Sequence, residues 1–173
     1  MSQIGVIMGS DSDYKIMEDA MKVLRQFELE FEVKISSAHR TLDRTVDWVR
    51  AFEAQGGKLI IAAAGLAAHL PGVVAGATIL PVIGVPLSSG AMEGIDALYS
   101  IVQMPPGIPV ATVGIGSARN AALLAVQILA IQDEALSVKV KNYRNQMLKD
   151  IEAKDEALQL KLSEGIQGAV KGN

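Results

Sequence analysis

Short apolar runs alternate with amphipathic stretches along the first 133 residues. QIGVIM (3–8) is nearly all apolar and stops at Gly9, which predicts a buried strand. YKIMEDAMKVLRQF (14–27) places Ile16, Met17, Ala20, Met21, Val23 and Leu24 near helical spacing. LEFEVKI (29–35) alternates apolar with charged positions, the pattern of a strand close to a sheet edge. RTVDWVRAFEAQ (44–55) reads as a helix stopped by Gly56-Gly57. KLIIAAA (58–64), ILPVIGV (79–85) and IPVATVGI (108–115) are three further strands, with helices expected over 68–77, 90–103 and 117–133.

Strands that alternate with helices build a parallel sheet covered on both faces. The expected fold is therefore α/β, a three-layer α/β/α sandwich. Its sheet is a flavodoxin-like parallel one of five strands in the order 2-1-3-4-5. Residues 134–170 follow a different pattern, a long polar helix in which Leu136, Val140, Tyr143, Met147, Ile151, Leu158 and Leu162 form a stripe. The expected division is a flavodoxin-like domain over 1–133 and a helical extension of the same domain over 134–173. That helix outruns a compact sheet, so it either folds back on its own domain or docks on a sister subunit.

Composition narrows the functional classes. Formal net charge is −3, which gives no basic footprint for nucleic acid or an acidic membrane surface. Cysteine is absent, which removes disulfides and thiolate metal sites and fits a reducing cytoplasm. The start MSQIGVIMGSDSD lacks the pattern of a signal peptide, and no apolar run is long enough to predict a membrane span. Aromatic residues make up 4% of the chain, so small side chains must pack the core and let backbone segments approach closely.

Ligands of open parallel sheets bind beyond the carboxyl ends of the strands, near the point where strand order reverses. Three chemistry-bearing segments fall there, and the two histidines of the chain, His39 and His69, lie in two of them. GSDSD (9–13) joins Gly9 to Ser10, Ser12 and Asp13 ahead of a helix. Its amides and hydroxyls suit a phosphate and its carboxylates a ribose, although helix capping uses the same residues. SSAHRT (36–41) sets His39, a titratable acid or base, beside Arg40, a fixed positive charge, with Ser37 close by; a polar surface loop would look similar. AGLAAHLPG (64–72) offers Ala64, Gly65, Ala67 and Ala68 as a close-fitting wall near His69. The alternative there is a tight connection whose histidine is satisfied locally. The two histidines lack the spacing of a metal motif, and neither a phosphate-binding G-x-x-x-x-G-K-[ST] loop nor a G-x-S-x-G elbow occurs.

Taken together, MGSDSD, SAHRT, AGLAAHLPG, GVP, YSIVQMPPGIPVAT and NAALLAVQILA resemble, in order, the N5-carboxyaminoimidazole ribonucleotide mutase family of purine biosynthesis, over about residues 3–133. AAHLPG with QMPPGIPVAT is similar to its bacterial mutase branch, not to the branch that carboxylates aminoimidazole ribonucleotide with free carbon dioxide. The resemblance implies an isomerase without cofactor or metal. It assigns His39 as the acid/base and Ser10, Asp13 and Arg40 to the nucleotide; Gly9, Ser12, Ser37, Ala64, Gly65, Ala67 and His69 are expected, from their place in the loops, to shape the pocket. It also implies a cytoplasmic homo-octamer in which several subunits shape each site. Two departures stand out: Leu42 replaces the proline of the usual SAHRTP, and GIGSARNAA is shorter than the IGxxGAxNA forms. The rival readings are the free-carbon-dioxide carboxylase and a non-enzymatic flavin- or nucleotide-binding module.

Overall fold

A computed structural model describes residues 2–170 of the chain, with side chains through residue 162. The chain divides into two compact units, Met1–Leu129 and Ala130–Asn173. The first holds a five-stranded sheet ordered β2-β1-β3-β4-β5, in which every pairing is parallel.

β1 (Ile4–Met8) runs between β2 (Phe31–Ile35) and β3 (Leu59–Gly65), and all five of its residues are buried. A strand covered on both faces and both edges has no use for polar side chains, hence its continuous apolar run. β2 forms one edge and keeps its charged positions, as its alternation predicts. α2 (Leu42–Ala54), α3 (Leu70–Ala77) and α4 (Ile95–Val102) cover one face through Trp48, Val49, Phe52, Leu70, Val74, Ala97 and Ile101. These side chains meet Ile7, Ile60, Ala62, Ala64 and Val82 of the sheet. Strand positions of the opposite parity, among them Ile61, Ala63, Ile83 and Val85, are also fully buried. α1 (Tyr14–Gln26) and α5 (Ala118–Ala130) supply that second layer with Met17, Met21 and Leu24, and with Ala121, Ala122 and Ala125. Right-handed crossovers require this split, because the chain reverses direction across the sheet after β2.

Three expected boundaries move, each for a local reason. The strand expected at 79–85 is β4 (Val82–Leu87). Pro81 brings no amide donor, and Thr78 Oγ1 holds the preceding turn by accepting from the Leu80 amide at 3.0 Å. The helix expected from residue 90 starts at Ile95, because Gly90, Glu93 and Gly94 all take positive φ (66°, 51° and 92°) and turn the chain first. The strand expected over 108–115 shrinks to β5, Ala111–Thr112. Pro109 lacks a donor, and Gly116 at φ 69° turns the chain after Gly114.

In the second unit, α6 spans Glu134–Val170. Asp133 opens it by accepting from the Leu136 amide at 2.9 Å. Leu136 is buried, whereas Met147, Ile151, Leu158 and Leu162 of the same stripe are exposed. Among the described residues, no helix is long and apolar enough to cross a membrane.

Candidate active site

Register places the carboxyl ends of the first three strands side by side: Met8 pairs with Ile35 on one flank and with Ala63 on the other. The loops that follow open a cleft of about 570 Å3 at the point where strand order reverses. Eleven of the residues expected in the site line it: Gly9, Ser10, Ser12, Asp13, Ser37, His39, Arg40, Ala64, Gly65, Ala67 and His69. Ala68, expected in the wall, turns into the hydrophobic core instead.

The GSDSD loop folds on its own side chains. Ser10 is extended (φ −149°, ψ 160°) and caps a 3-10 turn, Asp11–Asp13. Its Oγ accepts from the Ser12 amide at 3.3 Å, and Asp13 Oδ2 accepts from the Ser10 amide at 3.0 Å. This reciprocal pair is a capping box, so the capping role read from the sequence is present and coexists with a place in the cleft. Burial pushes the Asp13 carboxyl above its ordinary pKa and nearby Asp11 adds to this, against hydrogen bonds from the Ser10 and Gly9 amides and the Ser12 hydroxyl.

The SSAHRT loop is tied at its base. Ser36 donates its amide to Met8 O at 2.9 Å, and its buried Oγ lies 3.1 Å from Thr41 Oγ1 and 2.9 Å from Thr45 Oγ1. Thr41 closes the loop by donating its amide to Ser37 O at 2.8 Å. α2 starts at Leu42, so the turn and helix form without the expected proline. The tip presents His39 and Arg40, both exposed, to the cleft. Arg40 Nη2 donates to Gly9 O and Nε to Ser37 Oγ, each at 3.4 Å, which joins the β1 and β2 loops.

His69 sits at the start of α3, yet its side chain does not cap the helix. Its ring lies against His39 instead, with centroids 5.1 Å apart and planes inclined by 36°. Four lining residues were not expected: Ala38, Leu66, Leu70 and Ser89. Ser89 follows β4, and its signal was the turn sequence SSG at a strand's carboxyl end. Among the described residues, no cluster of three or more His, Cys, Asp or Glu is placed to hold a metal ion.

A sequence model described as AIR carboxylase matches residues 3–150. The chain belongs to that family. An N5-carboxyaminoimidazole ribonucleotide mutase of Pyrococcus abyssi is 56% identical over 147 residues, covering 85% of this chain and 84% of the relative. Another from Thermotoga maritima is 48% identical over 159 residues, covering 92% and 93%. Among solved structures, Treponema denticola PurE superposes with a TM-score of 0.83 at 34% identity, covering 90% of this chain and 97% of that one. As an AIR carboxylase family member, the chain places its three motif loops around one cleft, although they are separated by up to 60 residues in sequence.

Proposed function

We propose that this protein is an N5-carboxyaminoimidazole ribonucleotide mutase with His39 as its single proton shuttle. The observation that carries the reading is the convergence of a histidine, an arginine and a serine-aspartate cap on one cleft at the switch point. The names of relatives aligned over most of their length support the same substrate.

Protonated His39 gives its proton to the carbamate nitrogen, the nitrogen–carbon bond breaks, and carbon dioxide and aminoimidazole ribonucleotide form. Carbon 4 of the ring attacks the carbon dioxide, and the new bond leaves one proton too many on that carbon. Neutral His39 removes it, so the enzyme ends as it began and 4-carboxyaminoimidazole ribonucleotide leaves. One proton given and one taken back require neither ATP nor a redox partner.

Arg40 and Ser10 take the phosphate and Asp13 the ribose hydroxyls. Guanidinium and hydroxyl donors suit a dianion, and a carboxylate accepts from a diol. The chain acts as a cytoplasmic homo-octamer. Two features support assembly: His39, Arg40 and His69 are exposed in the single chain, and the α6 stripe is uncovered from Met147 onward. A site that holds a gas between two steps must be closed to water, and closed symmetric association would supply the cover.

Ultraviolet absorbance distinguishes the readings. The purified protein should convert the carbamate substrate directly, without ATP. Turnover only of aminoimidazole ribonucleotide with bicarbonate would make it the carboxylase instead. A flavin spectrum without either activity would make it a binding module.

A further inference from the structure

The hydroxyls on the β1 and β2 side of the cleft already have partners in their own loops, exposed ones that a phosphate dianion can replace. Ser10 Oγ donates to Asp11 Oδ1 and Ser12 Oγ to Ser10 Oγ, each at 3.0 Å, while Ser37 Oγ accepts from Arg40. Ser89 differs. Its Oγ is buried and has no hydrogen-bond partner in the protein, a state shared among the described residues only with Asp96 Oδ1. Asp96 does not line the cleft; Ser89 does.

Gly65 makes room for that hydroxyl. A Cβ at Gly65 would stand 2.5 Å from Ser89 Oγ, so the hydroxyl would have to leave its present position. The next residue, Leu66, holds a left-handed φ of 55° and reaches over Gly90, where a Cβ would stand 2.8 Å from its Cδ2. Residues other than glycine pay about 1–3 kcal/mol for such a backbone, which the packing of the β3 and β4 loops must offset. Besides Ser89, the β3 and α3 side of the cleft is lined by Ala64, Gly65, Leu66 and Leu70. A donor shielded from water in such surroundings is costly while unmet and strong once met. Folded proteins rarely leave one idle.

We infer that Ser89 contacts the substrate, its hydroxyl donating a hydrogen bond to the carboxyl group as that group migrates. The assignment rests on the mutase reading and deepens it. A phosphate needs several donors and a cation, which Arg40, Ser10 and Ser12 offer on the other side of the cleft. Carbon dioxide is small, apolar overall and a weak acceptor at each oxygen. A wall of small apolar groups with one free donor matches it, and the same donor bonds more strongly to the carboxylate at either end of the reaction. Because nothing holds the hydroxyl, it can turn about χ1 to follow the group without breaking a bond.

Calorimetry with two nucleotides tests this, one the 4-carboxy product and the other aminoimidazole ribonucleotide, which lacks only the carboxyl group. Ser89→Ala should weaken binding of the carboxylated nucleotide roughly ten- to hundredfold, the worth of a hydrogen bond to a charged group. It should leave affinity for the uncarboxylated nucleotide unchanged and should not lower the melting temperature, since the hydroxyl it removes has no partner in the free protein. During turnover, more substrate should escape as aminoimidazole ribonucleotide. Ser89→Cys, close in size with a weaker donor, should fall between, and Ser88→Ala at the exposed neighbour should match the parent. Equal losses for both nucleotides, or no loss for the carboxylated one, would overturn the role of Ser89 while leaving the mutase reading intact. A parent protein that binds neither nucleotide would overturn both.

Discussion

His39 and His69 lie thirty residues apart in sequence, yet their rings meet at a centroid distance of 5.1 Å across the mouth of one cleft. One comes from the loop after β2 and the other from the start of α3. Only His39 is flanked by a cation that also ties the β1 loop, through the carbonyl of Gly9. On the proposed mutase reading, His39 is the proton shuttle and His69 shapes the pocket beside it.

Replacing His39 with Asn should preserve the fold and nucleotide binding but cut turnover by about 100-fold or more, the usual worth of a general acid/base. His69→Asn should reduce turnover less, because it removes a ring contact and not the proton. Steady-state rates of both variants check this; near-normal turnover of His39→Asn would end its assignment.

Arg40→Ala removes the donor to Gly9 O and Ser37 Oγ at an exposed position, so the melting temperature should barely move. Nucleotide affinity should fall by roughly 1.5–3 kcal/mol for a lost charge-assisted bond to phosphate. Titration calorimetry measures it, and unchanged affinity would take Arg40 out of the site.

Asp13 carries a pH signature. Burial raises its pKa in the folded state, so the folded protein holds this proton more tightly than the unfolded chain does. Stability from that proton is complete below the unfolded pKa and is lost as pH rises through the raised folded value. Asp13→Asn keeps an acceptor for the Ser10 amide without the charge. It should melt higher than the parent at neutral pH, and the difference should close as pH falls toward about 4. A difference that widens on acidification would contradict the burial argument.

Gly84 lies in β4 beneath Ile101 of α4, and a Cβ there would overlap Ile101 Cγ2 and approach Val110 Cγ1 to 2.8 Å. Gly84→Ala should cost about 1–3 kcal/mol of stability through overpacking. Denaturant unfolding gives the number, and a neutral result would mean that α4 shifts freely.

The α6 stripe predicts assembly. Ile151 and Leu158 are more than half exposed, at 63% and 53%. If they are buried between subunits, charging both (Ile151→Glu with Leu158→Glu) should lower the sedimenting mass and the activity together. An unaltered, fully active oligomer would place the interface elsewhere.

Much of the architecture was legible in the chain itself. Continuous apolar runs at 3–8 and 58–64 marked strands covered on both faces, and the alternation at 29–35 marked an edge, because side-chain polarity records how many faces are wet. Pattern alone also put the loops after those strands at one end of the sheet, since a parallel sheet aligns its carboxyl ends. Local pattern failed where backbone chemistry outweighed hydropathy. Pro81 and Pro109 could not join ladders their neighbours favoured, and left-handed residues at 90, 93 and 94 delayed α4. Tertiary structure alone decided the pairing of His39 with His69 and the solitary hydroxyl of Ser89. Both depend on distances across strands far apart in sequence, and on the missing Cβ of Gly65, which acquires its meaning only when the β4 loop is packed against it.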